Sequence, residues 1–501
     1  MKVSKIIIGF SILFMSYCFL KSNTLNAQQS IDLTLERAVE IAMNNSYRIK
    51  QLQLGIERTR YYLKARQAGL KSKVYINLRS PDLNAISEFE WNSTLQKDEL
   101  VRQNNRLWQM ELSIRQPVIL FGYPTDGYLS LNNRMYRYLQ KINGTEDVNY
   151  YNRYFVRFEQ PLFRPNTLKN DIEQAKLDLE REELEYLNDQ VRVLNNTGYA
   201  YFDLFELAYE HVIYSRQVAH LQKVSDIIYL MSQQDSTRSL DVIQVRVELT
   251  NAQETLLENE SDMRLEIAQM KQRLRLDYQD ELTVKPTIEI TPINVDLNQA
   301  IQYGYTLNPT LQLNEINKRR DEIALENIKG WDKLHLNLEM TYGLEKEDEK
   351  YQELWLDHDN SYSISVRAYI PIWDWGRQKA NIEGQKINMK RTELYMEENR
   401  NRIKSEITSA IKNLEEYLQR ALDMKENMEV AQELSDISII QFEENRISVQ
   451  DILKIIERQK DTELSFLESY LGFKRSFIQL MSQTYFDYEK NISLLEKLQA
   501  G

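Results

Sequence analysis

The sequence predicts an α+β membrane protein with long helices and a few β-strands. The strands of several copies of the chain are predicted to form one β-barrel. Two segments, residues 166–231 and 377–442, keep helical apolar spacing without a proline. Each is about 66 residues long, or roughly 100 Å as a helix. Only 14 glycines and 9 prolines occur among 501 residues, which excludes collagen-like and loop-rich disordered chains.

The first segment of the chain is typical of a secretory signal peptide. Lys2 and Lys5 precede an apolar run over residues 6–20, and a small residue, Ala27, ends the segment. We expect cleavage after Ala27. An N-terminal membrane anchor is the alternative, although the apolar run is short for a hydrocarbon core of ~30 Å. Lipid attachment at the single cysteine, Cys18, is disfavoured because the bulky Tyr17 precedes it.

The rest of the chain contains an internal two-fold repeat. The repeats are residues 28–276 and 297–487, a linker over 277–296 joins them, and residues 488–501 form a tail. The number of residues that separates a segment of the first repeat from its match in the second is constant at the start of the repeats. It is smaller, and again constant, after residue 150. The matched segments are 35–42 with 297–304, 74–78 with 336–340, 160–163 with 370–373, and 241–243 with 451–453.

Each repeat is predicted to hold a short helix, two strands, a long helix and a returning helix. The short helices cover residues 35–70 and 297–328, and the returning helices cover 240–276 and 449–481. A short helix and a returning helix together are about as long as one long helix. Stacked end to end, they can line it as in a coiled coil.

The predicted strands alternate apolar and polar residues. They lie near residues 74–79, 153–159, 334–342 and 362–370. An apolar face toward lipid and a polar face toward a lumen is the pattern of transmembrane barrel strands. Half-buried strands of a soluble sheet are the alternative. Four strands per chain cannot close a barrel with a pore, since small closed barrels need about eight, so the barrel reading implies an oligomer.

The first repeat carries an insertion over residues 80–150. Its position in one strand-to-strand connection favours an extracellular extension above the barrel. Residues 108–115 and 129–132 also alternate, however, so an extra hairpin that adds two strands per chain and widens the pore is the alternative.

Composition and motifs argue against catalysis and nucleic-acid binding. The formal charge is −12 and the isoelectric point about 5.2, which is unsuited to a polyanionic partner. The four histidines form no metal-binding pair. With no nucleophile–base constellation or phosphate-binding loop either, we expect no enzyme activity, no cofactor and no metal.

Three motifs resemble those of the TolC-like outer membrane efflux protein family. Residues 35–42 carry the N-terminal pattern with Leu35, Glu36, Ala38 and Ala42. Residues 370–376, IPIWDWG, resemble the exit from a barrel strand into a helix. Residues 445–453, NRISVQDIL, resemble the helix turn at the periplasmic tip. The motifs occur in the family's order and separation over most of the mature chain.

The resemblance implies a homotrimer with a 12-stranded outer-membrane barrel, four strands per chain, continued by an α-helical coiled-coil tunnel in the periplasm of a Gram-negative bacterium. It implies a passive exit duct for efflux or type I secretion. The partners would be outer-membrane lipid, a periplasmic adaptor and an inner-membrane pump of the RND or ABC class. A periplasmic coiled-coil scaffold or adaptor without a pore is the alternative function.

By the same resemblance, two helix turns at the tunnel tip dock the adaptor. The alternative role is only to reverse the chain and cap helices, and Ser448 with Asp451 fits a capping box. The predicted docking residues are Ser236, Thr237, Arg238, Ser239, Asn445, Arg446, Ile447 and Ser448.

Asp241, Asp451 and Lys454 are the predicted constriction residues. In a trimer the two aspartates supply a ring of carboxylates, which selects cations and raises local proton affinity. A favourable charge at a helix N-terminus is the alternative role. Phe442 and Ile447 stand where some family members have a tyrosine and an arginine that help tie the tip shut, and Lys454 replaces an acidic residue one turn later. The resemblance therefore leaves open how the tip is closed.

Overall fold

The structure, a computed structural model, describes residues 30–331 and 333–495, without the side chains of residues 30, 92, 234 and 236. The predicted signal peptide and the last residues of the predicted tail lie outside this part. The chain forms two compact units. The helical unit comprises Met1–Gln51, Leu187–Asn308 and Arg400–Gly501, and the sheet unit comprises Leu52–Tyr186 and Pro309–Asn399.

Each short helix predicted from the sequence is in fact two helices. The first pair is α1, Leu35–Asn45, and α2, Tyr47–Ala68. The break falls at Ser46, whose hydroxyl accepts a bond from the N–H of Ile49, as serine does at helix starts. The second pair, α5 and α6, breaks at Asn308 because the following proline excludes helical dihedrals there. These helices span Leu297–Leu307 and Pro309–Trp331.

The long and returning helices agree with their predicted positions. The long helices are α3, Thr167–Gln234, and α7, Arg377–Glu443. The returning helices are α4, Ser239–Leu274, and α8, Val449–Thr484. No helix in the described part of the chain is both long and apolar enough to cross a membrane.

The main sheet has six antiparallel strands in the order β2-β3-β4-β5-β7-β8. The predicted count of four strands per chain is therefore wrong for this sheet. All four predicted strands are present, and the insertion adds two more between β2 and β5. The strands are β2, Lys73–Asn92; β3, Lys97–Leu120; β4, Tyr123–Ile142; β5, Thr145–Leu162; β7, His335–Asp348; and β8, Asp359–Tyr369.

Apolar side chains lie on one face of the sheet and polar side chains on the other. The apolar face is the exposed one, as expected for a sheet whose outer face contacts lipid. Val74, Val156 and Ile364 lie exposed on one face. On the other face Ser113, Asn132 and Thr341 are buried. A soluble half-buried sheet would show the opposite, with its apolar face covered.

Apolar cores hold the described part of the helical unit together. One gathers residues of α1, α3, α4 and α8 around two short strands, and includes Leu33, Phe205, Met270 and Leu471. Those strands, β1 (Ser30–Asp32) and β6 (Glu281–Thr283), pair in parallel. They tie the predicted linker to the start of the described chain. Strands β9, Phe486–Asp487, and β10, Ile492–Ser493, form a small hairpin.

Candidate functional site

The first predicted tip turn connects α3 to α4 through a short 3₁₀ segment, Ser236–Arg238. Asp235 closes it by accepting bonds from the N–H and the hydroxyl of Thr237, at 3.0 and 2.7 Å. These bonds lower the pKa of the Asp235 carboxyl. Thr237 and Ser239 are exposed, and the side chain of Ser236 lies outside the description.

The second tip turn ends α7 in a Schellman motif. The Arg446 N–H donates to the Gln441 carbonyl at 2.8 Å and the Asn445 N–H to the Phe442 carbonyl at 2.9 Å. Asn445 has φ +61°, and asparagine is among the few non-glycine residues that readily adopt this left-handed conformation. The motif leaves Asn445 and Arg446 exposed at the chain reversal.

Ser448 and Asp451 form the predicted capping box at the start of α8. The Ser448 oxygen accepts from the Asp451 N–H at 3.2 Å, and its hydroxyl donates to the Asp451 carboxylate at 2.7 Å. This hydroxyl bond is the main reason that the pKa of Asp451 is lowered, and the charge of Lys454 adds a smaller lowering. A ring of carboxylates is expected to raise the proton affinity of its members. Within one chain, the bond from Ser448 and the charge of Lys454 act in the opposite direction on Asp451.

A side-chain hydrogen bond joins the two tip turns. Arg238 Nη2 donates to Asn445 Oδ1 at 2.7 Å, and Arg238 Nη1 lies 3.2 Å from Met231 Sδ. The Nε of Arg446 pairs with exposed Glu444 at 3.0 Å. Arg238 thus holds the turns together, while Arg446 is paired within its own turn and remains exposed.

An apolar core of four helices supports both turns. It contains buried residues of α3, α4, α7 and α8, among them Ile228, Val245, Phe442 and Ile452. Ile447 packs against this core and is half-buried. Of the predicted docking residues, Ile447 therefore has a clear structural role.

The two aspartates among the predicted constriction residues occupy the first turns of the returning helices. Asp241 lies in the first turn of α4 and is half-buried, whereas Asp451 in the first turn of α8 is exposed. Lys454 is exposed one turn beyond Asp451. A carboxylate in this position also complements the helix dipole.

The strand-exit motif at residues 370–376 has a local structural role. Its aspartate, Asp374, accepts from the N–H groups of Gly376 and Gln378 at 2.9 and 2.8 Å. The bonds lower the pKa of Asp374. They satisfy donors at the start of α7 that lack partners within the helix.

The polar face of the sheet carries ion pairs that the sequence analysis missed. Arg157 lies 3.6 Å from Glu339, which pairs with Arg367 at 2.7 Å. Farther along the strands, Arg153 lies 3.2 Å from Glu345. Each pair joins neighbouring strands among β5, β7 and β8. Arginine and glutamate residues at alternate positions of the strands could have indicated these ion pairs. The sequence does not show the strand register, however, which determines which arginine lies opposite which glutamate.

Phe155 lies among these charges on the polar face and is buried. The guanidinium carbons of Arg134, Arg153 and Arg157 lie 5.7, 5.0 and 5.2 Å from its ring centroid. The facing residue is Gly343, where an added Cβ would lie 2.7 Å from the Cβ of Phe155. The glycine therefore makes room for an aromatic ring that the arginines cover by cation–π contact.

In the described part of the chain, no group of three or more His, Cys, Asp or Glu side chains is arranged to hold a metal ion. The exposed tip turns and the charged sheet face are suited to contacts with proteins and hydrated solutes.

Solved structures of outer-membrane channels resemble this chain over nearly its full length. The Campylobacter jejuni CmeC outer membrane channel matches with a TM-score of 0.63 at 12% identity, covering 95% of this chain and 94% of that one. The Vibrio cholerae outer membrane protein VceC matches at 0.61 with 11% identity over 90% and 95%. The Neisseria gonorrhoeae MtrE outer membrane channel, in its open state, matches at 0.58 with 10% identity over 92% and 93%.

No protein-family model and no curated protein matches the sequence. At 10–12% identity, these structural matches show a shared fold. The resemblance inferred from the sequence motifs is thus confirmed at the level of the fold: this chain has the fold of the TolC-like outer membrane efflux channels.

Proposed function

We propose that the chain is the outer-membrane exit duct of a tripartite efflux or type I secretion system, acting as a passive homotrimeric channel rather than as an enzyme. Its sheet would lie in the outer membrane of a Gram-negative bacterium and its helices would form a tunnel in the periplasm. The main support for this proposal is the distribution of side chains on the sheet: one face is apolar and exposed, and the other is polar and rich in ion pairs.

The open edges of the sheet support an oligomer. β2 and β8 are its outermost strands in the described part of the chain. Unpaired strand edges are not tolerated in hydrocarbon, where every backbone group needs a partner. Because β2 and β8 run in opposite directions in the antiparallel order, β8 of one copy can pair with β2 of the next. Three copies complete the ring in the proposed trimer.

Exposed apolar stripes on the helical unit support contacts between copies. Leu240, Ile243 and Val247 lie exposed at helical spacing on α4. Val430, Ile437 and Ile440 are exposed on α7. Such stripes are costly in a solvated single chain and are buried by helices of neighbouring copies in a coiled-coil tunnel.

Trimerisation in lipid is tested on full-length protein extracted from the outer-membrane fraction. We expect a detergent-stable trimer whose gel migration changes on heating, together with discrete ion conductance in planar bilayers. A monomeric protein that remains soluble without detergent would instead favour the periplasmic scaffold.

The exposed turns at the tip are proposed to dock a periplasmic adaptor that connects to an RND or ABC pump. Reversing the charge at Arg238 and Arg446 should abolish export while the trimer persists. Because Arg238 also bonds Asn445, Asn445→Gly is the matched control, since it removes that bond without changing charge and glycine keeps the left-handed conformation. Normal export by the double charge reversal would contradict the docking role, and equal loss in Asn445→Gly would assign the effect to the Arg238–Asn445 pair rather than to charge.

A further inference from the structure

The two inserted strands are fully integrated into the sheet. β3 pairs with β4 from Gln103–Ile142 to Leu120–Tyr123, with one bulge, and β4 pairs with β5 from Tyr128–Glu159 to Ile142–Thr145. β2, whose sequence resembles β7, therefore never pairs with β5 as β7 pairs with β8. The insertion separates them by a complete hairpin.

A single row of apolar side chains crosses all six strands on the exposed face. Ile114 of β3 and Leu131 of β4 are 38% and 53% exposed, which is comparable to 43% for Val156 of β5. An extension standing in water gains nothing from exposing such a row. The directly paired residues of this row are Val74, Ile114, Leu131, Val156, Tyr342 and Tyr362.

The polar face is equally continuous through the inserted strands. Arg115 of β3 reaches past β4 to Glu159 of β5 at 3.6 Å. Arg134 of β4 pairs with Glu111 of β3 at 2.7 Å. Inserted and original strands thus share one network of charges.

The apolar pattern stops farther along β3 but not along β2. On the exposed side of β3 the residues at the corresponding positions are Arg102, Asn104 and Arg106, paired with residues of β2 beyond its bulge. On the same side of β2, Leu83 and Phe89 are still exposed apolar residues. The distal part of β3 is therefore the portion of this hairpin that lacks an apolar face.

We infer that β3 and β4 are barrel strands, so that a trimer closes an 18-stranded barrel with six strands from each copy; this inference rests on the proposed trimeric channel. Barrel diameter grows roughly linearly with strand number, so the lumen is about 1.5 times as wide as that of a 12-stranded barrel. Barrels of 16–18 strands hold an aqueous channel. The duct accordingly passes wider hydrated solutes than four strands per chain would allow.

Cysteine labelling tests the position of the inserted strands, because the sequence contains one cysteine, Cys18. Single variants Ile114→Cys, Leu131→Cys and Val156→Cys are placed in lipid vesicles and treated with a charged, water-soluble maleimide and then with a lipid-soluble one. Ser363→Cys, on the opposite face of β8, is the accessible control.

The expected result is that Ile114→Cys and Leu131→Cys resist the charged reagent as Val156→Cys does and react with the lipid-soluble one, while Ser363→Cys is modified by the charged reagent. If the charged reagent rapidly modifies Ile114→Cys and Leu131→Cys while Val156→Cys is protected, β3 and β4 lie above the bilayer. That result overturns this inference but not the proposed channel. Modification of Val156→Cys as well overturns the membrane barrel itself, and this inference with it.

Polymer exclusion provides an independent measurement. A variant in which residues 342–360 replace residues 80–150 joins β2 to β5 as β7 joins β8, and Arg164→Asp restores an acceptor at the start of α3. Neutral polymers are added on the extracellular side, so that the mouth of the barrel is probed separately from the predicted constriction at the tip. For a trimer of this variant, the largest polymer that enters should be smaller in diameter than for wild type by a factor of about 1.5. Equal exclusion of polymers would contradict a wider lumen.

Discussion

The long helices α3 and α7 both begin just after a strand of the sheet, but their first N–H groups find acceptors in different places. At α7 the acceptor is local, Asp374. At α3 the matching position is Arg164, and the acceptor is Asp126, near the start of inserted strand β4. Its carboxylate accepts from the N–H groups of Thr167 and Leu168 at 2.6 and 2.8 Å and from the Thr167 hydroxyl at 2.9 Å.

This difference shows that the insertion is part of the scaffold. Its Asp126 adds acceptors from another strand to the local cap of α3, Asn166, whose Oδ1 accepts from the Lys169 N–H at 2.9 Å. The same contrast recurs at the tip, where α8 has the Ser448 capping box and α4 starts at Arg238 without a side-chain cap. Both halves run from short helices through strands to a long and a returning helix, but they satisfy their helix ends differently.

The largest expected difference between the halves concerns the returning helices. Glu463 of α8 is buried and accepts from Arg216, Gln432 and Gln459 at 2.6, 3.1 and 2.9 Å, whereas the matching residue of α4, Gln253, is exposed. Glu463→Ala leaves three donors unpaired and should lower the free energy of unfolding by about 3 kcal/mol. Gln253→Ala should change it by less than about 0.5 kcal/mol. Denaturant unfolding in detergent measures both, and equal effects would remove this contrast.

The next largest effect concerns the capping of α3 by Asp126 of the inserted strand β4. Asp126→Ala should destabilise the protein by about 1–2 kcal/mol, the range for a lost helix cap. Adding Arg164→Asp should recover part of this loss, because it restores the arrangement seen at Asp374. Arg164→Asp in the wild-type background completes the double-mutant cycle. Additive losses would show that the two positions do not substitute for each other.

The tip turns differ by a smaller amount. Ser448→Ala removes the cap of α8 and should cost about 1 kcal/mol. Ser239→Ala, in the other turn, removes no cap and should be nearly neutral. Thermal unfolding followed by circular dichroism compares the two variants, and a neutral Ser448→Ala would show that the capping box contributes nothing.

The smallest effect is a pH dependence at Asp451. Its pKa is lowered from 3.8 on folding, so its stabilising contribution is present above that value and is lost as pH falls through the lower, folded pKa. The thermal midpoint of wild type should therefore exceed that of Asp451→Asn at pH 5–7 and converge with it as pH falls through the lowered pKa. In a Ser448→Ala background the gap at pH 5–7 should shrink, and an unchanged gap would assign it to another partner.

Periodicity predicted much of the fold because it records which face of each element is apolar. The long helices, the returning helices and the four strands all lie where the spacing placed them. The breaks at Ser46 and Asn308 were missed, although Pro309 was a visible signal for the second. At the candidate site the Ser448–Asp451 capping box is confirmed, since it depends on residues three apart. The docking and constriction roles remain proposals.

By itself, the sequence determined the element order, the lengths of the helices and the two-sided character of the strands, because each follows from neighbouring residues. The tertiary structure decided how many strands join the sheet, which arginine meets which glutamate, and which aspartate caps α3. Those outcomes depend on contacts between residues far apart in the chain, such as Asp126 with Thr167 and Arg157 with Glu339. Strand register sets such contacts, and no local pattern encodes it.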